Sequence, residues 1–271
     1  MLDWLKRIAT PVPRPRLVEN ENQPLPTEDP VERLVGRLET HDKLPPTLGF
    51  APNLGPMRVI VVASQKGGVG KTTIAAHMAV QADMAGEGPA VLVDTDPQGS
   101  LSEWWDARKE ESAQGDTPSL VTAKLDDLPT KLAELRSNGA ALAIIDTPPA
   151  LTTSIEQAIA LADLVLIPAR PSPHDLRAIG ATLNLTRRAR KSFLFVVNGA
   201  APRANITAEA VAALSEHGRV APVILYQRTD YAASMIDGRT VMEAGPDGRS
   251  SQEIAGLWKY IHAQINVPVA A

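Results

Sequence analysis

From Met57 onward the chain alternates between short, unbroken apolar runs and stretches of helical period. The runs are RVIVVAS (58–64), AVLVD (90–94), SLVTA (119–123), ALAIID (141–146), LVLIP (164–168), FLFVVN (193–198) and APVIL (221–225). Helix-like segments lie near 71–86, 101–112, 126–138, 153–162, 174–191, 206–217 and 250–265. Strands that are apolar throughout are buried on both faces. Such strands separated by helices predict an α/β fold, a mostly parallel sheet covered by helices on both faces. Ligands in such folds bind beyond the carboxyl ends of the strands. Residues that carry chemistry should therefore follow the runs directly.

Residues 1–56 break this rhythm. TPVPRPRLVENENQPLPTEDP and KLPPTLGFAPNLGP are proline-dense and poor in periodic apolar positions, so this extension is expected to be extended or partly disordered. Two short amphipathic helices are predicted within it. One carries Leu2, Leu5 and Ile8, and the other Val31, Leu34, Val35 and Leu38. Either would dock on its own domain or serve as a partner-binding or membrane-touching peptide. Over the whole chain, 44% of the 271 residues are apolar and 21% charged, an ordinary globular balance. The absence of cysteine excludes disulfides, thiolate metal sites and a cysteine nucleophile. No apolar run has the ~18 residues of a membrane span, and MLDWLKRIATPVPRPR lacks a secretory core, so a cytoplasmic location is expected. The net charge of −4 means that any nucleic-acid binding must come from a local patch.

The strand ends carry the expected chemistry. After the first run comes QKGGVGKTT, a variant of the phosphate-loop pattern G-x-x-x-x-G-K-[ST] with Gln65 in place of the first glycine and an extra lysine, Lys66. Gly67, Gly68, Val69 and Gly70 form a loop whose N–H groups converge on an anion. The helix that follows directs its positive dipole end at the same place. Lys71 is placed to reach the β- and γ-phosphates, the Thr72 hydroxyl to bind Mg²⁺, and Thr73 to donate to the α-phosphate. A glycine turn joining strand to helix would explain the glycines but not the Lys-Thr-Thr behind them. After the second run, DTDPQGS sets Asp94 and Asp96 on one side of a strand end, before a Pro-Gly turn able to shift with nucleotide state. After the fourth, DTPP supplies Asp146, the carboxylate on the Mg²⁺ side of such sites.

Together KGGVGKTT, DTDPQGS and IIDTPP resemble the deviant Walker-A ATPases of the ParA/MinD family. IPARPSPHDLRA and LYQRTDYAASMIDGRTVME are similar to its ParA partition branch, in particular its short, ParF-like members. The resemblance covers residues 57–271 and implies one P-loop NTPase domain. It implies that Lys66 is the signature lysine, which contacts the nucleotide of the other subunit in an ATP-dependent sandwich dimer. Lys71 then serves its own subunit, Asp96 orients the attacking water and takes part in the Mg²⁺ site with Thr72 and Asp146, and Asn198 lies where relatives place an adenine contact. ATP and Mg²⁺ are the implied ligands. The expected partners are a second copy, nonspecific DNA, and a centromere-binding protein or cargo adaptor that stimulates hydrolysis on the nucleoid.

The weaker signals divide. RRARK, with Arg187, Arg188, Arg190 and Lys191, is either a solvated helix end or a DNA-contacting patch that Arg228 and Arg239 would join. Arg249 and Lys259 are further candidates. His77 and His174 lack partners at metal-ligand spacing and read as structural. Trp104 and Trp105 read as packing on a helix face. The principal expectation is a ParA-type ATPase that segregates plasmid or chromosome DNA. The alternative keeps the ATPase and changes the cargo to a protein assembly such as a chemotaxis cluster or carboxysome. A MinD-like membrane regulator requires a basic amphipathic tail. LWKYIHAQINVPVAA does not offer one, so no stable membrane association is expected.

Overall fold

The computed structural model describes residues 57–111, 117–150 and 153–266. The extension and its two predicted helices lie outside them. The strands are β1 (Arg58–Val62), β2 (Ala90–Asp94), β3 (Ser119–Thr122), β4 (Leu142–Asp146), β5 (Leu164–Ala169), β6 (Phe193–Ala200) and β7 (Leu225–Tyr226). The helices are α1 (Lys71–Met84), α2 (Ser100–Glu111), α3 (Leu128–Ser137), α4 (Thr153–Leu161), α5 (Pro173–Arg188), α6 (Asn205–Ser215), α7 (Thr229–Met235), α8 (Val241–Ala244) and α9 (Arg249–Ile265). The strands form one sheet in the order β3-β2-β4-β1-β5-β6-β7, with every pairing parallel. The predicted α/β architecture is what the chain adopts.

The runs of β1, β2, β4 and β5 are buried on both sides, as their composition requires, whereas β3 at the edge of the sheet is half-buried to exposed. Val59 and Val61 pack on one face with α3, α4, α5 and α6. Ile60 and Val62 pack on the other with α1, Leu101 and Trp104 of α2, and α9. Register then places the site. Val62 pairs with Asp146, and Asp94 pairs with the same Asp146, so three strands end level and their loops leave side by side. Pro168 within β5 fits the same geometry. Leu166 turns its carbonyl toward β1, where Ala63 N–H donates to it at 3.0 Å. Pro168 therefore turns its donor-less nitrogen the same way, beyond Val62, where β1 has already ended.

Two regions depart from the expectation. The strand predicted at 221–225 is reduced to Leu225–Tyr226, after an isolated bridge between Phe195 and Val220. The β6 register shifts between Asn198 and Ala200, and Pro222 has no N–H to give a ladder. Behind it, α7 and α8 occupy a stretch where the periodicity predicts no helix. α8 starts on a capping box, with Thr240 and Glu243 bonding reciprocally. α5 ends at Arg188 rather than 191, because Arg190 turns left-handed (φ 54) and Lys191 N–H closes back on the Thr186 carbonyl at 3.2 Å.

Candidate nucleotide-binding site

The loop after β1 is held from below by side chains remote in sequence. Gln65 N–H donates to the Thr182 hydroxyl of α5 at 3.2 Å, and Asn198 at the end of β6 donates its amide to the Val69 carbonyl at 2.7 Å. Gly68 (φ 73) and Gly70 (φ 92) adopt left-handed conformations. A Cβ on Gly70 would also overlap the Asn198 amide, so this position requires glycine for two reasons. Gly70 is the N-cap of α1, which turns that helix's free N–H groups toward the loop's concavity. A cleft of about 660 Å³ opens there, walled by Gly67, Gly68, Gly70, Lys71, Thr72 and Thr73, with Asp96 beside them.

The acids meet the loop as the register dictates. Thr72 donates its hydroxyl proton to Asp146 Oδ2 at 2.6 Å. Asp146 is 1% exposed, and its Oδ1 has no hydrogen-bond partner among the described residues. Burial raises the Asp146 carboxyl to about 7, against the opposing pull of the Thr72 hydrogen bond and the Lys71 charge. Lys71 is itself buried, which lowers its pKa, while Asp146 and Asp96 oppose the shift. An orphaned carboxylate oxygen beside a hydroxyl is the donor set of a hard divalent cation. Thr72, Asp146 and Asp96 therefore fit Mg²⁺, and the cation would relieve the buried charge.

The turn after β2 is tied to the same centre. Asp94 is buried and accepts from Ser102 N–H at 3.0 Å, from the Ser102 hydroxyl at 2.6 Å and from Asp96 N–H at 3.1 Å. It organises the start of α2 and leaves Asp96 to face the cleft. The carbonyl of Asp146 receives both the N–H (3.1 Å) and the hydroxyl (2.6 Å) of Thr95. Thr147 clamps the Val62 carbonyl at 2.9 Å. Asp146 thus sits at a junction of three strand ends and does not cap α4.

Other predicted residues find different places. Lys66 is exposed on the outer turn of the loop, with its N–H on the Ser64 hydroxyl at 3.3 Å. The two loop lysines therefore differ as one buried and one free to reach outward. The basic residues do not form one patch. α5 runs antiparallel to the strands, so Arg187, Arg188, Arg190 and Lys191 lie at the amino-terminal edge of the sheet. Arg228 and Arg239 follow β7 at the carboxyl edge. Arg228 is engaged with Glu253 at 2.6 Å, Arg239 with Asp237 at 2.6 Å, and Arg187 donates to the His217 carbonyl at 2.8 Å. The expectation that Arg228 and Arg239 join RRARK is corrected by topology.

His77 is structural. It is fully buried, donates from Nδ1 to the Thr73 carbonyl at 2.8 Å and accepts Val241 N–H at Nε2 at 3.2 Å. Burial lowers its pKa to about 4 and keeps it neutral. Trp104 packs in the core, and Trp105 donates to the Pro118 carbonyl at 2.9 Å. Arg170, which lines the cleft from the residue after β5, escaped the sequence reading. Its position directly behind an apolar run was the signal.

A family model described as the CobQ/CobB/MinD/ParA nucleotide binding domain matches residues 60–241. The chain is 33% identical over 204 residues to the maintenance of carboxysome distribution protein A of Halothiobacillus neapolitanus, a match spanning 72% of this chain and 91% of that protein. It is 30% identical over 189 residues to protein ParA of Rhizobium radiobacter, spanning 65% of this chain and 82% of that protein. In fold it is similar to the septum site-determining protein MinD of Pyrococcus horikoshii complexed with Mg-ADP. There the TM-score is 0.64 at 15% identity, over 79% of this chain and 100% of that one.

Proposed function

The chain belongs to the CobQ/CobB/MinD/ParA nucleotide-binding family, and from that premise we propose that it is a ParA-type ATPase that positions a protein cargo on nucleoid DNA. The observation that carries the choice of cargo is the match along 91% of a protein named for carboxysome distribution. This favours the alternative over the principal expectation, segregation of plasmid or chromosome DNA. That reading keeps the support of the ParA relative, which is matched over 82% of its length. The cargo is therefore a protein assembly recruited through an adaptor, and the protein acts in the cytoplasm on the nucleoid.

The chemistry assigned to the site follows from its charges. The N–H groups of the loop and of the first turn of α1 bind the phosphate chain of ATP. Lys71, held among Asp146 and Asp96, sets its charge against the terminal phosphates. Thr72, Asp146 and Asp96 hold Mg²⁺, which supplies countercharge to the phosphate oxygens. Asp96, on a turn pinned by Asp94, aligns the attacking water. Lys66 faces outward and completes the site of a second copy, so hydrolysis proceeds in the dimer and ends by releasing it. Asn198 reaches the adenine from beneath the loop. DNA is held without sequence preference through phosphate contacts, whose strength falls steeply with salt.

Sedimentation with ATP, ADP and a Lys66→Ala variant tests the assembly. Wild-type protein should form an ATP-dependent dimer and release phosphate, and the variant should do neither. Proteins co-purified with Asp96→Ala, together with imaging of their location in a deletion strain, test the cargo. Recovery of a centromere-binding protein in place of an assembly adaptor would return the protein to DNA segregation.

A further inference from the structure

We propose that Arg170 grips the phosphate chain of the bound nucleotide near its nucleoside end, adding affinity shared equally by ATP and ADP. This rests on the nucleotide-binding reading of the cleft and adds a residue that the loop motif does not contain.

The cleft is charged unevenly. Its charged lining residues are Lys71, Asp96, Glu103 and Arg170. Lys71 is buried and already faces Asp146 and Asp96. Arg170 is exposed, and among the described residues its guanidinium makes no hydrogen bond or ion pair. It is thus the lining cation not already matched by an acid, in a cleft whose ligand is an anion. Its place is set by its surroundings. Gly199 is left-handed (φ 65) and presents bare backbone to the arginine stem. A Cβ on Gly199 would lie 3.4 Å from Arg170 Nε and 3.7 Å from Cγ. Gly199 follows Asn198, which bonds to the Val69 carbonyl in the loop. The guanidinium is therefore supported from the same strand end that supports the loop.

Strand order decides which part of the nucleotide it meets. Asp96 and Asp146 follow β2 and β4, on one side of β1, whereas Arg170 and Asn198 belong to β5 and β6 on the other. A nucleotide whose terminal phosphate and Mg²⁺ face the two acids turns its nucleoside toward β5 and β6. Arg170 then meets the portion common to di- and triphosphates. A planar guanidinium forms bidentate, charge-assisted bonds to phosphate that an ammonium does not reproduce.

Equilibrium titration with fluorescent N-methylanthraniloyl ATP and ADP in Mg²⁺ tests this on the full chain. Wild type, Arg170→Ala, Arg170→Lys and Lys71→Ala are compared, with a thermal melt of each as a folding control. Arg170→Ala should weaken both nucleotides by about tenfold, the size of one such contact, and by the same factor. Arg170→Lys should restore part of the loss. Unchanged affinities in Arg170→Ala, with binding lost in Lys71→Ala, would overturn the role of Arg170 and leave the nucleotide reading standing. A loss confined to ATP would also overturn it, by moving the contact to the terminal phosphate. Wild-type protein that binds neither nucleotide would remove both readings together.

Discussion

The edge where β2, β4 and β1 end and the segment that follows β7 are built on different principles. At the first, three apolar strands run in register to level ends, and backbone ladders set Asp94, Asp146 and the loop after Val62 side by side. At the second, a two-residue strand gives no such frame. Residues 226–244 are held by side chains reaching in from elsewhere. Arg108 of α2 makes a two-pronged pair with Glu243 at 2.7 and 2.9 Å and donates to the Gly238 carbonyl at 3.0 Å. Trp104 donates to the Arg239 carbonyl at 3.2 Å, and His77 of α1 accepts Val241 N–H. Gly238 (φ 72) lies so close to Arg108 that a Cβ would overlap its backbone. Ladders tolerate any apolar side chain that fills its place. Buried polar pairs hold a segment only while both partners are present.

Removing one partner should make that contrast plain. The Arg108 and Glu243 side chains are 5% and 7% exposed, so Arg108→Ala strands a carboxylate in the interior. The expected loss is about 3–5 kcal/mol in urea denaturation, since an unpaired buried charge costs more than the pair contributes. A loss below about 1 kcal/mol would mean that something other than this pair orders the segment.

The ladder region carries an opposite liability in Asp146. Its carboxyl is raised to about 7, so the folded chain holds this proton more tightly than the unfolded chain does. Its contribution to stability is full below the ordinary carboxylate pKa and is lost as pH rises from there through about 7. Asp146→Asn should therefore stabilise the ligand-free protein above about pH 7, by roughly 4 kcal/mol at about 1.4 kcal/mol per unit, and change little near pH 4. Denaturation at a series of pH values checks the sign, and a pH-independent difference would contradict it. The same variant should lose Mg²⁺-dependent nucleotide binding.

Gly70→Ala tests whether the first region also leans on a side chain. The new methyl group meets the Asn198 amide at a left-handed position, so about 2 kcal/mol of strain and at least tenfold weaker nucleotide binding are expected. Thr240→Ala removes the cap of α8 for about 1 kcal/mol in thermal unfolding. Nucleotide affinity should stay at the wild-type level, because Thr240 does not line the cleft. A fall in affinity would show that the two regions are coupled.

How much of this was legible follows the same division. The phosphate loop, Asp96 and Asp146 could be found from apolar runs and the residues behind them, because strand, turn and helix are each specified locally. The true extent of β7, α7 and α8 could not. Their periodicity is short, and the groups that fix them lie elsewhere, as with Arg108 and Glu243, which are 135 positions apart. The capping box at Thr240–Glu243 was the one local sign of α8, and it is easily passed over beside a weak apolar pattern.

The sequence by itself determined the alternation of elements, the parallel sheet and the side of it on which the chemistry gathers, because these depend on period and on which residues precede a helix. Only the tertiary structure decided that Asn198 braces Val69 across 129 positions, that Arg170 stands at the cleft with no acid among the described residues to match it, and that the basic residues fall at opposite edges of the sheet. Such placements depend on strand order and on distances between remote residues. Parallel strands joined by long crossovers leave both open until the sheet has formed.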